Sequence, residues 1–198
     1  PLGGEAFRGR IAREEAVELA RGMNDRRQLA AALNGLAQLH RIEGEIDLAE
    51  PLYGQMVSLM REVGDRESVA IGLLNLAMVS IGRGAGDRAR EMLVEIVAIA
   101  SEIGSKPVGQ SALDVSAGYS AWCEEWERAA RFYGVAQAQV VETGLHRDPT
   151  DEAFLMPLIA RARDALGGDD FEEIERGGRS LSCEQGLDEA RAWLARAS

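Results

Sequence analysis

The apolar positions of the chain follow helical spacing from about residue 25 onward. Leu29, Leu33 and Leu36 lie at i, i+4 and i+7, and Ala37 continues the same face. This spacing is typical of an amphipathic helix that turns one stripe of side chains towards a core. After Gly44 a second stripe of the same kind contains Leu48, Leu52, Met56, Leu59, Met60 and Val63. Since no segment alternates apolar and polar residues as a strand would, the pattern predicts an all-α fold.

The helical pattern repeats every 40 residues. Glycine recurs at this interval, and so does alanine in two separate series, which are Gly64, Gly104 and Gly144; Ala37, Ala77 and Ala117; and Ala49, Ala89 and Ala129. Small residues at fixed positions allow the two helices of one unit to approach closely. Because neither helix can bury its stripe alone, the period predicts stacked antiparallel helix pairs over residues 25–64, 65–104 and 105–144.

Turn and capping residues lie where such helix pairs need them. Gly44 and Gly84 are predicted to turn the chain inside a pair, and the glycines of the 40-residue series to end each second helix in a left-handed conformation. Pro51 lies past the first turn of its helix and predicts a bend or a late helix start. The predicted N-caps of the three first helices are Asp25, Asp65 and Ser105.

Both ends of the chain depart from the repeat. Residues 11–23 predict a lone helix, as if it were the second half of a unit, and because the chain begins at Pro1 without Met we expect it to be a piece of a longer protein. Residues 148–198 predict capping helices. The first of these runs from Asp148 to Leu166 with a kink at Pro157, and a short helix follows at residues 171–176. A capping-box pattern at residues 182–185 predicts a last helix through Trp193.

The repeat resembles the long-period tetratricopeptide (TPR) repeat. The stretches LNGLA at residues 33–37 and LNLA at residues 74–77 are similar to the "LNNLG" stretch of its first helix. Residues 84–90, GAGDRAR, are similar to its Gly-Asp turn and second helix. The resemblance covers about residues 25–144 and implies a right-handed TPR-like α-solenoid of antiparallel helix pairs. It implies no particular activity, because such repeats serve many functions.

The C-terminal third resembles the C-terminal region of many bacterial signalling ATPases. Residues 129–136, AARFYGVA, look like its "AARLxGAA" segment, and residues 162–167, ARDALG, look like "ARAALG". Residues 178–184, GRSLSCE, are similar to the ending "GRxLSxE", although Gly186 replaces a usual alanine. Those proteins join a switch ATPase to a TPR array, often with a cyclase, kinase or LuxR-type DNA-binding domain. The resemblance therefore implies a bacterial signalling or transcription regulator as the parent protein.

Net charge and amino-acid composition argue against several further classes of function. With 22 basic and 33 acidic residues the formal net charge is −11, so we expect no direct contact with nucleic acid. Lys106 is the only lysine, which removes Schiff-base and P-loop lysine chemistry from nearly the whole chain. No apolar run is long enough to span a bilayer, so no membrane contact is expected. Cys123 and Cys183 lack metal-ligand spacing, and we expect reduced, buried thiols in a cytoplasmic protein.

No residue pattern predicts catalysis, a metal site or a cofactor. Residues 82–86 are rich in glycine, but they follow a helix and lack the GK[ST] sequence of a phosphate-binding loop. His40 and His146 are the only histidines, and they lack the spacing of paired metal ligands. We therefore expect a protein that is not an enzyme.

The resemblance to TPR arrays implies that the first helix of each pair lines a concave groove. Amide and arginine side chains hold a peptide backbone or a carboxylate, whereas methionine and tryptophan suit adaptable apolar contacts. The alternative is that Met78, Ile81 and Trp122 are core residues between repeats. Trp126 and Trp193 are themselves expected to be core residues. The inward positions are predicted to be Asn34, Gln38 and Arg41; Leu74, Met78 and Ile81; and Asp114, Gly118 and Trp122.

The leading hypothesis is a non-catalytic protein-interaction or effector-sensing module of a larger regulator. It would bind a peptide, a partner domain (including other domains of the parent chain) or a small effector in the concave groove. The alternative is a self-associating structural scaffold that forms a homodimer through exposed terminal helices.

Overall fold

The protein is all-α, as the apolar pattern predicts. A computed structural model describes the backbone of residues 2–196 and the side chains of residues 8–196. None of the described helices is both long enough and apolar enough to cross a membrane. The ten helices in this part of the chain are α1 (Leu2–Gly22), α2 (Arg26–Ile42), α3 (Ile46–Val63), α4 (Arg66–Gly82), α5 (Gly86–Ile103), α6 (Lys106–Trp122), α7 (Trp126–Thr143), α8 (Pro149–Leu166), α9 (Gly168–Arg179) and α10 (Cys183–Leu194).

The helix starts recur at an interval of 40 residues. Helices α2, α4 and α6 begin at residues 26, 66 and 106, and helices α3, α5 and α7 begin at residues 46, 86 and 126. The two alanine series fit this arrangement, because all six alanines are fully buried. An alanine at each position gives the partner helix room to approach.

The chain divides into two compact units, Pro1–Leu76 and Ala77–Ser198, which we call unit 1 and unit 2. In unit 1, α1 packs on α2 and α2 packs on α3. In unit 2, α5 packs on α6 and α6 packs on α7. The last three helices of unit 2 cover these, since α8 packs on α6 and α7, α9 packs on α7, and α10 packs on α5, α6 and α7.

The predicted helix caps are confirmed. Asp25 accepts hydrogen bonds from the backbone N–H groups of Arg27 and Gln28, and Asp65 and Ser105 cap α4 and α6 in the same way. Asp148 caps α8, which has proline in its first turn. At α10 the capping box is reciprocal, because Ser182 and Gln185 each bond to the other's backbone N–H. These caps satisfy donors that a helix start otherwise leaves open.

The predicted left-handed glycines are also confirmed, because Gly64, Gly104 and Gly144 have φ of 76°, 62° and 69°. Gly44 and Gly84 have φ of 77° and 74° in the turns after α2 and α4. At the matching turn after α6 the residue is Glu124, which keeps φ at 62°. Asn24, before α2, has φ of 55°. The left-handed conformation is therefore kept where the glycine is lost, although a side chain there costs about 1–2 kcal/mol.

Three helix boundaries differ from the sequence predictions. Helix α1 begins at Leu2 and not at residue 11. Helix α3 begins at Ile46 and contains Pro51, so the predicted late start is wrong. Helix α9 spans Gly168–Arg179 instead of residues 171–176. Its first turn carries two aspartates, and negative charge at a helix N-terminus favours an early start.

Candidate functional site

Three predicted groove residues lie together on one face of unit 1. Asn34, Gln38 and Arg41 follow one another at i, i+4 and i+7 along α2, and all three are half-buried. The Arg41 Nη1 atom donates to Asn75 Oδ1 of α4 over 2.9 Å. The Asn75 Nδ2 atom donates to Asn34 Oδ1 over 3.4 Å and to the Ile71 carbonyl over 3.2 Å. We call Asn34, Gln38, Arg41 and Asn75 the polar strip.

Asn75 is the member of the strip that sequence reasoning missed. Its side chain is buried, so its amide needs partners inside the protein. It finds them on both of its neighbours in the strip, because its oxygen accepts from Arg41 and its nitrogen donates to Asn34. The buried amide therefore holds the two α2 side chains in place. The signal in the sequence was a polar residue within an otherwise apolar helix.

The predicted apolar positions on α4 are buried. Leu74, Met78 and Ile81 are exposed by 5%, 5% and 3% of their surface. The cause is the composition of α4, in which an unbroken run of residues from 72 to 81 is buried. A helix that is apolar all round belongs to a core. These three residues therefore offer no exposed side-chain surface to a ligand, in contrast to the groove expected from the sequence.

Asp114 is buried and pairs with Arg147 inside unit 2. Its two carboxylate oxygens accept from Arg147 Nη2 and Nε over 2.7 and 2.8 Å. Both side chains are buried, and the Arg147 guanidinium lies 5.3 Å from the centre of the Tyr133 ring. Burial raises the pKa of Asp114 to about 6, against the opposing effect of Arg147. The pair joins α6 to the segment between α7 and α8.

Trp122 and Gly118 also have internal roles in unit 2. The Trp122 ring is half-buried and stacks on Tyr119, with ring centres 5.9 Å apart. The ring also contacts Gly86 at the start of α5, where a Cβ atom would collide with the indole. Gly118 is buried, and a Cβ atom there would lie 2.9 Å from the Phe154 ring. Both residues therefore help helices pack.

One group of potential metal ligands comes together in the described part of the chain. His40, Glu43 and Glu45 offer atoms that all lie within 4.8 Å of one another. His40 Nδ1 lies 2.7 Å from Glu45 Oε2. Arg10 of α1 forms ion pairs with both glutamates. The hydrogen bonds from His40 and Arg10 lower the pKa of Glu45. Arg10 thus supplies a positive charge to both glutamates and ties α1 to the turn after α2.

Neither thiol is prepared for nucleophilic chemistry. Cys123 and Cys183 are free, and both are half-buried rather than buried as predicted. Burial raises the pKa of each thiol, which favours the unreactive protonated form. Trp193 lies in the core of unit 2 as expected, whereas Trp126 is half-buried under Arg161.

Comparison with known proteins identifies no family for this chain. A scan against protein-family models and a search of curated proteins each return no match.

Proposed function

We propose that this chain is a non-catalytic interaction or effector-sensing module of a larger bacterial signalling or transcription regulator in the cytoplasm. Its helix pairs would be TPR-like, and unit 1 would bind a peptide, a partner domain or a small effector. The observation that supports this most directly is the polar strip. It places Asn34, Gln38 and Arg41 on one half-buried face and fixes two of them through Asn75.

The chemistry of the polar strip suits an extended peptide. A carboxamide both donates and accepts, so Asn34 and Gln38 can pair with peptide C=O and N–H groups. The Arg41 guanidinium has five N–H donors in a fixed fork, which matches a carboxylate. Gln38 has no hydrogen bond to another described side chain, so its amide is open to a ligand. Because Asn75 already holds its neighbours, less conformational entropy is lost on binding.

A selection experiment tests this proposal. We expect octapeptides selected from a random display library on the intact chain to bind Gln38→Ala and Asn34→Ala at least ten-fold more weakly than the unchanged protein. The loss follows because each substitution removes hydrogen bonds to the peptide backbone. Fluorescence anisotropy with the labelled peptides measures the dissociation constants.

Gln55→Ala is the matched control, because Gln55 is an exposed glutamine on α3 outside the polar strip. It should bind the selected peptides like the unchanged protein. Selected peptides that bind all three variants equally would show that the polar strip is not the binding surface.

Self-association is the second candidate function. It is favoured by exposed apolar side chains in the C-terminal half of α1 and in the turn after it, where Ile11, Leu19 and Met23 are exposed by 37%, 70% and 59%. If these residues form a homodimer, light scattering over a range of concentrations should show a dimer, and Leu19→Ser should shift it towards the monomer. Val94→Ser, at an exposed valine of α5, is the control and should leave the dimer intact. A monomer at every concentration contradicts this function.

A further inference from the structure

A cleft of about 730 Å³ opens in unit 2 between α7, α9 and α10. Helices α9 and α10 both pack on α7, and the cleft lies between them. Its lining includes Phe132 and Trp193, whose ring centres are 5.9 Å apart and which are exposed by 1% and 7% of their surface. The more exposed apolar side chains of the lining are Ile174 and Ala192. The volume falls in the range of about 300–1,000 Å³ that is typical of ligand sites.

Most charges around the cleft neutralise one another. Arg131 donates two hydrogen bonds to Glu189, over 2.6 and 2.7 Å, and so joins α7 to α10. These bonds raise the pKa of Arg131 and lower that of Glu189, so both stay charged at neutral pH. Arg128 pairs with Glu125 over 2.5 Å and lies 5.1 Å from the centre of the Trp193 ring. These two pairs leave no net charge behind.

Two carboxylates of the cleft lining remain unpaired. Glu127 of α7 and Glu173 of α9 line the cleft, are exposed, and have no ion pair or hydrogen bond to any described residue. Arg196 is the one unpaired arginine among the described lining residues. The unpaired charges therefore sum to −1, in a chain whose net charge is −11. A cation attracted by the whole molecule meets free carboxylates in a cleft that also has apolar lining residues.

We propose that this cleft binds arginine or lysine side chains of a basic, extended segment of a partner protein. The cationic head would pair with Glu127 and Glu173, and the apolar stem would lie on Ile174 and Ala192. Arginine and lysine combine a long apolar stem with a charged head, as this arrangement requires. A bare metal ion gains nothing from the apolar lining residues, whereas a peptide of several residues uses the full volume. The polar strip of unit 1 takes no part, so each site can fail without the other.

The test uses the probe peptide acetyl-Gly-Arg-Leu-Arg-Gly-amide and its counterpart with citrulline in place of arginine. Citrulline keeps the shape of arginine and removes the charge. Nuclear magnetic resonance follows the indole N–H signal of Trp193 in the full chain at about 0.15 M salt, where distant charges are screened. Trp193→Phe assigns that signal. We expect the arginine peptide to shift it in a saturable manner and the citrulline peptide to bind at least ten-fold more weakly.

Charge-matched variants separate the cleft from general attraction to an acidic protein. Glu127→Gln/Glu173→Gln should weaken binding of the arginine peptide at least ten-fold. Glu91→Gln, at an exposed glutamate of α5 outside the cleft, should bind it like the unchanged protein. Spermidine, a free organic cation without a peptide backbone, should bind at least ten-fold more weakly than the peptide.

Several results would overturn the proposal. They are an unmoved Trp193 signal at millimolar peptide, equal affinity for the citrulline peptide, or equal losses in the double variant and in Glu91→Gln. Spermidine binding as tightly as the peptide would instead identify a site for free polyamines.

Discussion

Replacing Arg147 by methionine is expected to lower the free energy of unfolding by about 3 kcal/mol at pH 7. The substitution leaves Asp114 buried without the guanidinium that donates to both of its oxygens. The expected loss is at the lower end for breaking a buried pair, because Asp114 can take up a proton and become neutral. Urea denaturation followed by circular dichroism measures the change.

The double variant Asp114→Leu/Arg147→Met separates the cost of an unpaired charge from the value of the pair. Two apolar side chains of similar size remove both charges, so most of the lost stability should return. Arg191→Met is the surface control, because Arg191 is half exposed and pairs only with Asp188 one turn away. It should change stability by less than about 0.5 kcal/mol. A loss at Arg147→Met no larger than at this control would show that the buried pair contributes nothing.

The same pair gives the protein a pH dependence. Burial raises the pKa of Asp114 from 3.8 to about 6, so the folded protein holds this proton at a pH where the unfolded chain has lost it. The stabilising contribution of the protonated form is therefore complete below about pH 4 and is lost as the pH rises through 6, by up to about 3 kcal/mol. Asp114→Asn cannot titrate and should lack this part of the profile. Parallel profiles for the two proteins would contradict the assignment.

The local features of the fold could be predicted from the sequence, because short-range rules determine them. The cap at Ser182 depends on a residue three positions away, and the left-handed turn at Gly84 depends on one residue that lacks a side chain. The 40-residue interval also follows from spacing alone. The left-handed conformation of Glu124 agrees with the repeat, since this residue occupies the turn position that Gly44 and Gly84 hold in the two preceding helix pairs.

The candidate sites were less predictable, because they depend on contacts between distant residues. Asp114 has the polarity expected of a groove residue, and its partner Arg147 lies 33 positions later in the sequence. Glu127 and Glu173 come from different helices, and only the packing of α9 on α7 brings them to one cleft. The burial of Leu74, in contrast, could be predicted, because this residue lies within a long run of mostly apolar residues.

Replacing Gly178 by alanine is expected to destabilise the protein by about 2–3 kcal/mol, at the upper end of the range of about 1–3 kcal/mol for overpacking a core. Helices α7 and α9 touch through their backbones at this point. A Cβ atom at Gly178 would overlap the Arg131 carbonyl oxygen and lie 3.2 Å from the Cα atom of Gly134. On the other helix, a Cβ atom at Gly134 would overlap the Glu175 carbonyl oxygen. Since no flexible side chain can yield, the two helices must separate.

The neighbouring glycine provides a matched control within the same helix. A Cβ atom at Gly177 would meet only the Arg131 Nη1 atom, at 3.9 Å, so Gly177→Ala keeps the helix contact. Alanine also has the higher helix propensity, so this variant should be more stable by about 0.5–1 kcal/mol. Thermal or urea denaturation of the two variants should therefore give changes of opposite sign. If both stabilise the protein, α7 and α9 do not approach as closely as the two glycines indicate. If both destabilise it, substitution in α9 acts through something other than the backbone contact at Gly178.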